Sequence, residues 1–412
     1  MKKKLSDWGP IFLFILPFLG FILALTDIKS TKSKYVYILF SGIFGFSFSF
    51  LDPSADSFRY AVAFDNFDNT ININTIIQMY KNGELRDLYR TTLFYFVSVF
   101  SYNPKVLFSI AGLIYGYLSY KAMLIFNLES KGINVKSSYF LIPFFIFYTY
   151  VSISNLNGFK FNTGALIFFL STYNLYLKEK KIWFLGLLIT PLFHYSFIIT
   201  LPLFISYLIF HNKITVKAIY TIFLISFFVS WFLKTNSINL GFLGLQNDSL
   251  GAIGSRLKYV SSIETTQLVD ERKENSLFLR VQEIFNYGIR IYVFFVVFYF
   301  KKFLDKNIVI NPDLKRYFTF VVFFYSFASI GLSFPSGIRF MYIAHLFLMI
   351  LLSKFLIEFQ YGKIKSLILI SLPLFIFNIL FINFLIPILI LENSFWFKNV
   401  FWIFISGLGF NL

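Results

Sequence analysis

A few basic side chains and one histidine carry most of the chemistry that this chain can offer. Arg90, Arg280, Arg290 and Arg339 stand at the ends of apolar runs, and Arg256 stands in a polar stretch between two of them. A guanidinium stays charged and presents a planar fork that meets two phosphate or carboxylate oxygens at once. Lys160, at the start of another apolar run, adds a point charge. In the plainer reading each of these side chains snorkels to lipid headgroups. Against it, a charge inside an apolar segment marks a functional position by default, and apolar residues follow Arg290 and Arg339 on the same helix. His194 interrupts the long run Ile182–Phe210 just after Pro191. A histidine there can exchange a proton near neutrality, which suits general-base work. It can equally be a structural residue bonded to a carbonyl freed at the proline kink. His345 reads as deeper, and His211, beside Asn212 and Lys213, as solvated.

Other chemistries are excluded or unsupported. The chain has no cysteine, so disulfides, thiolate nucleophiles and cysteine-based metal sites drop out. Its three histidines lack metal-site spacing, and no metal or cofactor is expected. Asp56 is a second base candidate; it can also hold Arg59, three residues on, or bind ligand hydroxyls. Tyr60 and Tyr342, like Tyr195, offer flat faces and hydroxyls.

The elements that must position these residues are apolar runs. They are Trp8–Leu25, Tyr35–Leu51, Val106–Phe126, Ser138–Ile153, Phe161–Leu177, Ile182–Phe210, Val216–Leu233, Tyr287–Phe300, Tyr317–Leu332, Phe340–Leu352, Ser366–Leu391 and Phe395–Leu408. With 57% hydrophobic and 14% charged residues, the chain has no polar stretch able to house a second domain. A helical crossing takes roughly 20 mostly apolar residues, and these runs do not alternate as barrel strands do. The expected fold is a single all-α polytopic membrane domain over residues 1–412, with about 12 transmembrane helices and a range of roughly 11 to 13. The net charge of +17 would suggest nucleic acid in a soluble protein. Here the basic residues cluster in short loops between runs, the positive-inside pattern. Membrane lipids, not nucleic acid, are the implied partner.

Inside loops are expected at Lys29–Lys34, Lys121–Lys136, Lys178–Lys181, Lys301–Arg316 and Lys354–Lys365. Two long connections remain for the outside, Asp52–Tyr89 and Lys234–Glu283, and loops of this length tend to be lids or binding loops. In the first, Asp52-Pro53 reads as a helix start, with Asp56, Tyr60, Ala63, Phe64 and Phe67 on one face. A second amphipathic stretch covers Thr75–Tyr80. Both are read either as helices lying in the headgroups or as substrate-facing elements. Two conflicts stand out. The basic N-terminus and Lys29–Lys34 cannot both be inside if Trp8–Leu25 crosses once. Ile182–Phe210 also has basic loops on both sides, which leaves a long kinked span or a hairpin with His194 near its tip.

Several short motifs, in order, resemble a family. Asp56-Ser-Phe-Arg59-Tyr60-Ala-Val-Ala-Phe64 is similar to the D-x-x-x-Y-x-x-x-F signature of bacterial polysaccharide polymerases of the Wzy and EpsG-like type. Asn157-Gly158-Phe159-Lys160 resembles that family's N-G-apolar-R-Q span start, with Lys160 where arginine is usual. Phe193-His194-Tyr195-Ser196 resembles its F-H-x-S segment, and Arg339-Phe-Met-Tyr342 its late R-x-x-Y. The resemblance implies a helical fold like that of lipid-sugar-dependent (GT-C-like) glycosyltransferases. It implies a multi-pass protein of the bacterial inner membrane whose active site faces the periplasm. The activity would be transfer of a growing O-antigen or capsule glycan from undecaprenyl diphosphate to a hydroxyl of the next undecaprenyl-diphosphate-linked oligosaccharide. A flippase and a chain-length regulator are the implied protein partners. Rival readings are a flippase or transporter of the same lipid-linked oligosaccharide, for which no internal repeat is visible, and a polysaccharide O-acetyltransferase.

Overall fold

In a computed structural model the described residues are 4–53, 55–68, 70–85, 87–130, 147–232, 277–306, 312–332, 337–358 and 362–408. Among them the protein is all-α, with no strand and one isolated antiparallel bridge between Phe48 and Leu391. The helices are α1 (Gly9–Ile15), α2 (Pro17–Leu25), α3 (Thr31–Phe46), α4 (Asp56–Asp65), α5 (Ile73–Lys81), α6 (Tyr89–Ser98), α7 (Pro104–Glu129), α8 (Phe159–Thr172) and α9 (Trp183–Leu188). They continue as α10 (Thr190–Phe193), α11 (Phe197–Phe210), α12 (Val216–Phe232), α13 (Leu277–Lys306), α14 (Pro312–Gly331), α15 (Ile338–Glu358), α16 (Gly362–Leu380), α17 (Ile386–Ile390) and α18 (Val400–Gly407). Three of them are long and apolar enough to cross a membrane, over Pro104–Glu129, Ile284–Asp305 and Ile338–Glu358.

Small residues set the central contact. Gly112 and Gly116 of α7 form a G-x-x-x-G face against Ser41 and Gly42 of the antiparallel α3, and Gly45 of α3 lies against Phe108. A Cβ at Gly112 would sit 2.3 Å from the Ser41 carbonyl oxygen, and one at Gly45 would sit 2.1 Å from that of Phe108. Lipid tails give helices no hydrophobic reason to associate, so such close backbone approach supplies the packing energy. At one end of the bundle Glu129 gathers two cations and a hydroxyl. Lys178 lies 2.9 Å from its carboxylate, and Lys354 and the Tyr173 hydroxyl also bond to it. Lys178 and Lys354 come from two loops expected on the same side, and they meet.

Both topological conflicts resolve as hairpins. The run Trp8–Leu25 is broken at Leu16, where the backbone is extended ahead of Pro17. α2 folds back on α1, so that Gly20 lies against Leu13 and Gly9 against Ala24. The two ends are tied by Lys4–Asp27 and Lys32–Asp7 ion pairs, each at 2.8 Å. The chain thus returns to the side it left. Ile182–Phe210 does the same. Gly186 faces Ser171, Phe193 and Phe197 both face Gly164, and then Phe204 meets Phe168 and Tyr207 meets Tyr176. α9 and α10 run antiparallel to α8 and α11 runs parallel to it, with His194 at the turn. Of the two alternatives for this run, the hairpin is the one formed.

A third run, Phe395–Leu408, also turns back. Glu392 bonds to Lys105 and donates its N–H to Ser47 O. Trp396 then packs on Phe18 and Phe401 on Phe14, at the hairpin tip of α1 and α2. By Gly407 the chain is back at Asn103, whose side-chain amide donates to the Gly407 carbonyl. An apolar run is therefore not a single one-way crossing at these three places.

Two details differ from expectation. Helix α4 starts at Asp56, not at Asp52-Pro53, and its N-cap is Ala55. Residues 277–283, read as loop, belong to α13; the rest of Lys234–Glu283 lies outside the described residues. The hairpin reading of the N-terminus is checked by introducing cysteine into this cysteine-free chain. Lys4→Cys and Ser30→Cys should respond alike to an impermeant thiol reagent added to intact cells, both labelled or both protected. Labelling of one and protection of the other means that Trp8–Leu25 crosses.

Candidate functional site

The break between α10 and α11 creates the site. Pro191 stands in the first turn of α10, where its missing N–H costs nothing. The helix ends after four residues, and His194 takes an extended conformation. One of the carbonyls left over at that end, Leu192 O, accepts the N–H of Leu88 at 2.8 Å, which stitches the first long loop to the turn. The imidazole is buried, 2% exposed. Its Nδ1 faces Ser196 Oγ at 2.8 Å, and its Nε2 receives an N–H from Arg339 Nη1 at 2.9 Å, across 145 residues of sequence. Phe161 forms the wall behind both groups. The Arg339 guanidinium carbon is 5.4 Å from its ring centre, and the His194 ring meets it edge-on at 5.4 Å.

In the first turn of α8, two residues after Gly158, the Lys160 ammonium pairs with Asp87 at 2.8 Å, with 15% and 4% of the two side chains exposed. Lys160 lies in electrostatic range of Arg90 and Arg339 as well as of Asp87. Helix α4 docks its first turn on the same corner. Ser57 N–H donates to Asn157 Oδ1 at 2.9 Å, and an added Cβ at Gly158 would meet the Asp56 carboxylate at 3.2 Å. Asp56 also pairs with Arg59, as their spacing allows. The Arg90 guanidinium lies 5.9 Å from the centre of the Tyr60 ring and 5.7 Å from that of Phe94. His194, Arg339, Lys160, Arg90, Asp56 and Arg59 thus converge on one corner from α4, α6, α8, the α10–α11 turn and α15. Cations outnumber carboxylates there, which favours an anionic ligand.

Other expected site residues sit differently. Tyr60 is buried with its ring against Phe159, so its face is packed and not open to a sugar. The Tyr342 hydroxyl donates to the Tyr150 carbonyl and has Asn155 Nδ2 at 3.4 Å, so it braces the chain before α8. Arg290 joins a different place. It donates to Ser230 Oγ at 2.6 Å and lies against Trp231, Tyr287 and Phe227 between α12 and α13. None of those contacts reaches His194. Arg280 falls in the first turns of α13, but its side chain, like all of Arg256, lies outside the described residues. His345 is deep, stacked on Tyr150 at 4.7 Å. His211, expected to be solvated, is half-buried; its ring leans on Tyr176 and Tyr207.

Sequence reasoning missed Asp87 and Ser196 as partners. Asp87 was one acid among six in the first loop. Its distinguishing signal is position, two residues before the apolar start at Tyr89. No group of three or more metal-binding side chains occurs among the described residues. Comparison with protein-family models, curated proteins and solved structures gave no match.

The buried Lys160–Asp87 pair gives a stability test. Removing one partner of a buried pair leaves an uncompensated charge and costs about 3–5 kcal/mol, whereas replacing both by apolar groups of similar size is often near neutral. Lys160→Met and Asp87→Leu should each lower the thermal midpoint in detergent, and the double variant should recover most of the loss. Losses that simply add in the double variant would show that the two side chains are not coupled.

Proposed function

We propose that this chain is a multi-pass membrane glycosyltransferase that polymerises lipid-diphosphate-linked oligosaccharides. It would act at the outer face of a bacterial inner membrane, with a GT-C-like helical architecture. In this reading most of the twelve apolar runs cross once, while the two hairpins and the final run each return to the side they left. Every basic loop then falls inside, and the His194 corner falls outside with the first long loop.

The observation that carries the reading is the pairing of Arg339 with His194 Nε2, beside Lys160 and Arg90, at the tip of a hairpin. Polymerisation needs two things at one place: cations for a departing diphosphate and a base for an attacking hydroxyl. Preorganised charge in a site shielded from water is usually the largest catalytic contribution. In the step, the acceptor O–H bond breaks and its proton goes to His194 Nε2. The oxygen bonds to the anomeric carbon of the donor glycan. The bond from that carbon to the diphosphate oxygen breaks, and its electron pair leaves with the diphosphate. Arg339 and Lys160 neutralise the charge that develops there. Lys160 offers a point charge where an arginine would offer a fork, so the two-oxygen grip falls to Arg339.

Deletion of the gene should collapse the surface-polysaccharide ladder to a single repeat unit; loss of all exported units would mean a flippase instead. Arg339→Ala should abolish chain growth at normal protein level, and Arg339→Lys should restore only part. His194→Ala and His194→Gln should each lose roughly 10²–10⁴-fold in turnover of purified lipid-linked repeat units, because neither side chain accepts the proton. A His194→Gln enzyme close to wild type would remove His194 as the base and leave Asp56 to be tested.

A further inference from the structure

We propose that Arg339 is a latch on His194: its guanidinium occupies the Nε2 lone pair, and the diphosphate of a lipid-linked substrate draws it off and exposes that nitrogen. The latch rests on the polymerase reading and adds its order of events.

The inference follows from hydrogen-bond bookkeeping. Arginine has donors only, so the short contact to Nε2 needs a bare lone pair on that nitrogen. A neutral imidazole carries one N–H, which must then be on Nδ1, where Ser196 Oγ lies at 2.8 Å to accept it. The Ser196 backbone N–H also points at Nδ1, at 3.2 Å, and alone would argue for the opposite tautomer. That tautomer would set an Nε2–H donor against a charged donor at 2.9 Å. The charged contact is the shorter one, and hydrogen bonds with an ionised partner are about twice as strong as neutral ones. It therefore decides the tautomer. Burial of the ring opposes an imidazolium first, and the cations facing it, Arg339 from α15 and Lys160 from α8, oppose it further.

With Nε2 occupied, His194 cannot take a proton from any hydroxyl. A diphosphate is a better partner for Arg339 than a neutral ring, because it accepts two parallel charge-assisted bonds. The transfer of the guanidinium is short, since Phe161 lies under it and beside the imidazole. Once Arg339 grips the diphosphate, the lone pair is exposed to the acceptor hydroxyl, and a proton gained there faces anionic oxygens. The base is thus armed only when a leaving group is in place.

Nitrogen NMR on protein with ¹⁵N-labelled histidine in lipid nanodiscs tests this directly. The chain has three histidines, and His211→Gln and His345→Gln assign the signals. Before any lipid diphosphate is added, His194 should be the Nδ1–H tautomer. Arg339→Met should release it toward the Nε2–H form. Undecaprenyl diphosphate, with binding followed by its phosphorus signal, should shift the Nε2 resonance of the wild type and leave that of Arg339→Met unmoved. An Nε2–H tautomer at the start overturns the latch. Binding without any change at Nε2 overturns the latch and leaves the polymerase reading standing. An Nδ1–H tautomer in a protein that binds no lipid diphosphate removes the polymerase reading and the latch with it.

Discussion

A charged donor facing an imidazole at the tip of a helical hairpin is the contact on which this end of the molecule turns. The Arg339–His194 hydrogen bond joins α15 to the tip of the α8–α11 unit. The imidazole is buried and the guanidinium half-buried, so the ring finds its partner within the protein rather than in water. The position of His194 depends on the hairpin, the hairpin on Pro191 and on close packing against α8, and α8 on the corner where Asn157 and Gly158 receive α4. Phe161, Ser196 and Leu88 hold the surroundings in place. Displacing any of these elements would move the imidazole relative to the guanidinium.

The same economy governs the rest of the fold. Chain segments that do not cross still bury their backbone by folding on themselves. The α1–α2 hairpin does so through Gly9 and Gly20, and the stretch from Glu392 to Gly407 meets the tip of that hairpin from the opposite direction. Glycine is what permits α3 and α7 to approach at backbone distance, and aromatic rings fill the wider gaps. At the basic end Glu129 holds Lys178 and Lys354 together, so cations that would otherwise repel one another share one carboxylate.

Much of the helical layout was legible because long apolar runs have few alternatives. The basic loops flagged two of the three places where run-counting failed; the return of Phe395–Leu408 had no such signal. The resolution lay in facts that no run length contains: the extended backbone at Leu16, and the antiparallel fit of Gly186 to Ser171. In the corner itself, Arg339, His194, Lys160, Asp56, Arg59 and Arg90 could be named from residue type and position. Apart from Asp56–Arg59, three residues apart, their pairing could not, because the partners are separated by tens to hundreds of residues. Arg290 shows the limit of that reasoning. An arginine at the end of an apolar run reads the same whether it faces a substrate corner or, as here, an aromatic cage beside Ser230. Tyr60 and Tyr342 show another: the face of a tyrosine is informative only once its neighbours are known.

The central claim is that the His194–Arg339 corner is where a lipid diphosphate binds. An electron cryomicroscopy structure of the protein in nanodiscs with undecaprenyl diphosphate addresses it most directly. The expected result is a diphosphate with oxygens in hydrogen-bond range of the Arg339 guanidinium and the Lys160 ammonium, and His194 Nε2 no longer bonded to Arg339. A diphosphate seated elsewhere, such as against Arg290 between α12 and α13, with the Arg339–His194 bond intact, would contradict it.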